Sequence, residues 1–261
     1  MPDSFGPRLR QWRTARRLSQ EGLAAAAEIS TRHLSCLETS KAQPSREMVL
    51  LLTSALDLEL RERNAMLATA GFAPVYPVST LESLTMEPVR RAIALILAQQ
   101  EPYGAMVVDR TWNILASNNA TTRLISRFLP DPPADPRVTS NLARITLHPH
   151  GLRSAIANWP EVARFALDRL EHERTMYPLD AARSALMGEV LAYPGVAEIP
   201  HAPRASHPMA VVHLRRGREE ARLFTMLTTL GTPLDVTAQE LTIETWFPAD
   251  EATATFLRGL A

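Results

Sequence analysis

A run of side chains between positions 30 and 41 is suited to reading the edges of base pairs. At about 100° per residue, Arg32, Cys36 and Thr39 fall on one side of a helix that opens at Thr31, while Leu34, Leu37 and Glu38 fall opposite. The apolar side must face the preceding helices, which leaves Thr31, Arg32, Cys36 and Thr39 for a partner. Arg32 is the best base reader of the set, because a guanidinium can donate two hydrogen bonds to guanine O6 and N7. Gln20 opens the helix before it, where its amide and the first backbone N–H groups could hold a phosphate. Ser30 at the helix cap and Lys41 just past the helix end complete the candidate surface. An ordinary helical hairpin with one charged face has the same appearance, so the rest of the chain must decide.

Other chemistries find less support. Glu38 is an acid on an inward face, and a buried lone carboxylate is costly. Arg13, at the edge of the first apolar stripe, is its natural partner and gives a structural ion pair. Six of the seven histidines lie beyond residue 147, including His148, His150, His201, His207 and His213. His148 and His150 have no Cys, Asp or Glu at metal-ligand spacing beside them, so they read as loop or capping residues and no metal site is expected. Cys36 is the single cysteine, which excludes an intramolecular disulfide and a multi-cysteine zinc site. With no Gly-rich phosphate loop, nucleophile elbow or Cys–His pair, neither catalysis nor a cofactor is expected.

The elements that must hold these residues can be read from spacing. Phe5, Leu9 and Trp12 mark a first helix; Ser19 caps a second, Ser30 a third, and Pro44-Ser45 opens a fourth with Val49, Leu52 and Leu56 inward. Glu59 to Ala70 makes a fifth, closed by Gly71. Residues 73–88, with Pro74, Pro77 and Pro88, read as a linker or docking arm. A helix with Val89, Ile93, Ile96 and Leu97 on its apolar side follows. A hairpin comes next, 105–108 and 112–116 about a turn at Asp109-Arg110. Helices are predicted over 120–128, 151–158, 160–174 and 179–192, strands over 209–215, 222–229 and 240–247, and a last helix over 251–258. The domains are thus 1–72, a linker 73–88, and 89–261, the second being α+β.

Composition agrees with two folded parts. The chain has 261 residues, 46% of them hydrophobic, and a net charge of zero. Residues 1–46 carry seven arginines and Lys41 against four acids, a net +4, so the remainder carries −4. A basic head on an acidic body suits contact with nucleic acid. No apolar run approaches the ~20 residues that span a bilayer, and the polar start reads as no signal peptide, so a cytoplasmic protein with no membrane partner is expected.

The run Leu9-Arg10-x-x-Arg13, Leu18-Ser19-Gln20-Glu21, Leu23-Ala24, Ile29-Ser30, Leu34-Ser35-x-Leu37-Glu38 and Pro44-Ser45 resembles the lambda-repressor-like helix-turn-helix of the xenobiotic-response-element family. The resemblance covers about 65 residues and implies the Arg13–Glu38 pairing and binding to double-stranded DNA. It departs from the family pattern at Glu28 and Ser40, where glycine is usual, and at Thr31, where Gln is frequent. Further on, Met106-Val107-Val108-Asp109-Arg110-x-Trp112-x-Ile114-Leu115-Ala116-x-Asn118-x-Ala120 resembles the opening of a PAS-like domain. With Asn141-Leu142, a Trp159 helix and terminal strands, the chain looks like the MmyB-like transcription regulators. The fold class so implied is an all-α, five-helix, lambda-repressor-like head followed by an α+β PAS-like domain with inserted helices.

That resemblance implies a small apolar ligand such as a fatty acid for the second domain. The residues themselves suggest Trp112, Ile114, Phe128, Phe165, Leu186, Met187, Phe224 and Met226 as candidate cavity lining. Arg144 and Arg153 are candidates to meet a carboxylate head. A homodimer on paired half-sites is expected, because one head makes few base contacts. The alternative is a DNA-tethered module whose second domain binds a protein and has no pocket.

Overall fold

A computed structural model describes residues 4–200 and 209–260. The described chain forms two compact units, one running up to Thr80 and including Thr232–Gln239, the other comprising Leu81–Gly231 and the chain from Glu240 onward. His201 and His207 lie outside the described residues.

The first unit is helical: α1 (Phe5–Ala15), α2 (Gln20–Ala26), α3 (Thr31–Glu38), α4 (Arg46–Ala55) and α5 (Leu60–Thr69). Side-chain caps start three of them: Ser19 Oγ accepts from Gly22 N, Ser30 Oγ from His33 N and Ser45 Oγ from Met48 N. The predicted stripe residues Phe5, Leu9, Trp12, Val49, Leu52 and Leu56 are all buried. Gly6 lets α1 approach α3, since a Cβ there would lie 2.4 Å from the Leu37 carbonyl oxygen. Glu28 and Ser40, the two departures from glycine, both hold positive φ, at 52° and 58°. The turns therefore keep the left-handed geometry without the residue that adopts it freely.

After α5 the chain folds back along it. Asn64 Oδ1 accepts from Val75 N and Tyr76 N, and its amide donates to the Tyr76 carbonyl. The segment 232–239 belongs to this unit, and Gln239 Oε1 accepts from Leu60 N at 2.7 Å. Gln239 thus caps α5 from a distant part of the chain, at an end where Glu59 supplies no side-chain cap.

The second unit opens with a 3₁₀ turn (Leu84–Met86) and α6 (Glu87–Gln99), then β1 (Ala105–Val108), β2 (Ile114–Ser117) and α7 (Asn119–Phe128). Two short helices, α8 (Pro136–Thr139) and α9 (Leu142–Leu147), precede a 3₁₀ turn (Leu152–Ala155) and the long α10 (Trp159–Met176) and α11 (Ala181–Leu191). The chain continues through β3 (Val212–Arg216), β4 (Glu219–Thr229), α12 (Val236–Gln239, in the first unit), β5 (Thr242–Pro248) and α13 (Glu251–Arg258). All pairings are antiparallel, in the order β2-β1-β5-β4-β3. This five-stranded sheet with helices is the α+β, PAS-like arrangement.

Around β1 and β5 the sheet is covered on both faces. On one, Val107 and Ile243 pack with Ile93, Val89, Ile96 and Leu97 of α6. On the other, Met106 and Val108 join the larger core with α7, α9, α10 and α11. Strand β1 is accordingly buried at every position and reads as a continuous apolar run.

One predicted helix is corrected. Residues 151–158 form only the 3₁₀ turn, and Ile156 bridges to Leu214. Gly151 is pressed against Ile145, where a Cβ would lie 2.1 Å from the carbonyl oxygen, and α10 begins only at Trp159, with Pro160 in its first turn.

Candidate functional site

Two surfaces carry candidate chemistry. In the first unit, Leu34, Leu37 and Glu38 of α3 are buried, whereas Ser30, Thr31, Arg32, Thr39 and Lys41 are exposed and Cys36 is half-buried. The outward face predicted from helical spacing is therefore presented as one patch. Behind it, Arg13 Nε donates to Glu38 Oε1 at 2.6 Å and Nη2 to Oε2 at 3.0 Å. Burial opposes ionisation of Glu38, but hydrogen bonds from Arg13 and Gln20, with the charges of Arg13 and Arg10, hold its carboxyl below the ordinary value. That Gln20 bond, Nε2 to Oε2 at 2.7 Å, turns the Gln20 amide inward. Gln20 is thereby a member of the ion-pair network rather than a side chain held out toward phosphate.

In the second unit a cavity of about 190 Å³ lies between the inner sheet face and α10. Its apolar wall includes Trp112, Phe165, Ala166, Leu223 and Trp246. The sequence-predicted Trp112 and Phe165 come together here. Phe128, Leu186 and Met187 pack instead in the core, Ile114 lies partly buried against it, Phe224 stacks on Phe247, and Met226 is exposed. Core and lining residues share one apolar character, so type alone does not separate them.

The hairpin turn places Trp112. Asp109 Oδ1 accepts from Thr111 N and Asn113 N, its Oδ2 accepts from the Asn113 amide, and Trp112 N donates to the Asp109 carbonyl. Trp112 is held at φ 65°, a genuine departure for so bulky a residue. Asn141, fully buried, donates to the Thr111 carbonyl and to Asn113 Oδ1 while capping α9 through Arg144 N. Asn118 similarly caps α7, accepts from Ala105 N and donates to the Tyr103 carbonyl. These two asparagines tie the hairpin to the inserted helices.

The polar end of the cavity was missed by sequence reasoning. Arg169, Glu244, Thr146 and Thr225 line it, and Arg169 stands with its Cζ 4.1 Å from the Trp112 ring centre. Arg144 and Arg153 do not line it. Arg144 makes a two-pronged bond to Glu189, and Arg153 lies over the Trp159 ring at 3.8 Å. Among the described residues no group of three or more His, Cys, Asp or Glu side chains could hold a metal ion. His148 instead ends α9 and packs against Tyr193. No described helix is long and apolar enough to cross a membrane.

Residues 89–260 match the MmyB-like transcription regulator ligand binding domain, and residues 4–66 match a helix-turn-helix domain. The chain belongs to the MmyB-like transcription regulators. In this MmyB-like regulator the first match contains the cavity and the second contains α3. No curated protein matches the chain. Among solved structures, an RNA-binding light-oxygen-voltage receptor matches over 97% of this chain at 14% identity, with a TM-score of 0.27. The MmyB-like chain spans 60% of that receptor's length.

Proposed function

We propose that this MmyB-like regulator binds double-stranded operator DNA through α3 and tunes that binding with a small apolar, fatty-acid-like molecule held in the second unit. The apolar cavity beneath Trp112 and Trp246 is the observation that favours this reading over a protein-interaction module with a solid core. Thr31, Arg32 and Thr39 are the base readers, with Ser30, Cys36 and Lys41 flanking them. The regulator acts in the cytoplasm as a homodimer on paired half-sites, and its role is binding rather than catalysis.

Magnitudes shape the ligand. At about 30 Å³ for a group the size of a water molecule, 190 Å³ holds roughly six methylene-sized groups. At ~0.8 kcal/mol per buried CH₂, these contribute about 5 kcal/mol, which corresponds to a dissociation constant between millimolar and micromolar. A medium chain fills the space, and a longer one must widen it.

Native mass spectrometry of the chain incubated with single-chain amphiphiles tests this. A bound single-chain amphiphile that is absent from Ala166→Phe, and an operator affinity that differs between the filled and empty forms, is the expected result. Ala166 replaces Ala182 as the position to enlarge, since Ala182 is exposed on α11 and Ala166 lines the cavity. No bound species in the spectrum together with a thermal midpoint unmoved by added amphiphiles would leave the interaction-module reading in its place. A solution monomer that footprints one half-site at physiological salt would refute the dimer.

A further inference from the structure

The head is completed by a segment that belongs, in sequence, to the sheet. Residues 232–239 are part of the first unit, yet they are the connection between β4 and β5 of the second. Within the first unit their bonds are specific. Val236 N donates to the Pro77 carbonyl at 2.9 Å, Ser79 N to Asp235 Oδ2 at 3.1 Å, and Leu60 N to Gln239 Oε1 at 2.7 Å. Val236 and Ala238 are buried.

Both strands that the segment joins wall the cavity, through Leu223 and Thr225 on β4 and Glu244 and Trp246 on β5. Little chain separates wall from head. Only Glu240 and Leu241 lie between Gln239 and β5, a stretch that spans at most about 10 Å. Neither is loose: Leu241 is 3% exposed and the Glu240 side chain 8% exposed. Glu240 also stands 3.7 Å from Arg110 Nε, in the turn that presents Trp112 to the cavity.

Roughly six methylene-sized groups fit the cavity as it stands, so a longer chain must move its walls. Movement of β5 cannot be absorbed by so short a connection and reaches Gln239. There it acts on the first turn of α5, where Glu59 supplies no side-chain cap. In the head α5 packs against α1 and α4, and α1 carries Arg13, which holds Glu38 of α3. A ligand shifts such an equilibrium only by preferring one state. A long chain prefers the widened cavity, with Gln239 drawn off Leu60.

We infer that the β4–β5 connection is the regulatory element of this protein: a chain long enough to widen the cavity loosens the Gln239 cap on α5 and lowers operator affinity. The inference rests on reading the cavity as the ligand site and specifies how its occupancy reaches α3. Gln239 is the positioning residue on which it turns.

The test uses the full chain, dodecanoate and an operator recovered by binding-site selection. Native mass spectrometry follows dodecanoate binding, and operator affinity is measured with and without it at one salt concentration. Loss of a side-chain cap typically shifts the folding equilibrium by between about twofold and thirtyfold, so dodecanoate should weaken operator binding at least about threefold. That ratio should fall to about one in Gln239→Ala, whose cap is already gone, and return in Gln239→Glu, which keeps an acceptor for Leu60 N. In the unsubstituted chain, dodecanoate should also speed hydrogen exchange of the Leu60 amide at least about threefold. Bound dodecanoate that leaves operator affinity or Leu60 exchange unchanged, or a ratio kept in full by Gln239→Ala, overturns this inference and leaves the cavity as a ligand site. No dodecanoate bound at all overturns the cavity reading itself. If Gln239→Ala does not fold, the Leu60 exchange rate decides alone.

Discussion

Removing the carboxylate of Glu38 perturbs the head of the protein at a point where the cost can be estimated from contacts. The Glu38 side chain is 1% exposed and that of Arg13 13% exposed. Breaking one partner of a buried pair typically costs about 3–5 kcal/mol, because the other charge is stranded. In Glu38→Ala the stranded arginine keeps its bond to the Leu18 carbonyl at 2.9 Å and some access to water. The expected loss is therefore near the lower end, ~3 kcal/mol. In Arg13→Met the stranded carboxylate keeps only the Gln20 bond at 1% exposure, and the expected loss is larger, ~4 kcal/mol. A helical unit of roughly 70 residues has a total stability of about 4–10 kcal/mol, so either change removes much of it.

Amide hydrogen exchange on the full chain is the suitable assay, because it reports α1 and α3 separately from the second unit. Protection should collapse in the head and persist in the sheet. The Arg13→Met/Glu38→Met double variant should recover most of the loss, since neither charge is then stranded. Acid supplies an independent check. The folded pKa of Glu38 is lowered, so its contribution is complete above the unfolded value of 4.5 and is lost as pH falls through the lower folded value. Glu38→Gln should lack that acid-side loss. A Glu38→Ala protein within about 0.5 kcal/mol of the unsubstituted chain would refute the reasoning.

Three further outcomes are expected. Arg32→Ala should weaken specific DNA binding by ~1–3 kcal/mol and relax the preference at one base pair, which a binding-site selection would detect; an unchanged preference would remove Arg32 as a base reader. Glu28→Gly and Ser40→Gly should each raise stability by about 0.5–1 kcal/mol, the left-handed strain relieved less the added chain entropy, and a lower melting temperature in both would contradict the φ assignment. Gly6→Ala should destabilise the head by about 1–3 kcal/mol in urea titration, because its Cβ would meet the Leu37 and Glu38 carbonyl oxygens at 2.4 and 2.8 Å.

The head was legible in the sequence because its information is local. Helical spacing put Leu34, Leu37 and Glu38 inward, serine caps marked three starts, and the inward acid demanded a partner within reach. What spacing could not supply was the role of Gln20, whose amide bends back to Glu38 across 18 positions. Nor could it supply the cap that Gln239 places on α5 from 179 positions away. The short α8, α9 and α12 carry too few residues for a period to register.

The cavity was legible only in outline. Its wall is made of the same residue types as the core, and whether Phe165 or Phe128 faces the space depends on how α10 and α7 rest against the sheet. Its charged end left a fainter trace that can be recovered. Arg169 and Glu173 stand four apart on α10, and Glu244 is the one charged residue of a strand that carries Ile243, Trp246 and Phe247. A charge in the middle of a strand buried on both faces must be matched by something, and the matching group must come from the layer above it. Here that layer is α10, whose Arg169 donates to both Glu173 and Glu244.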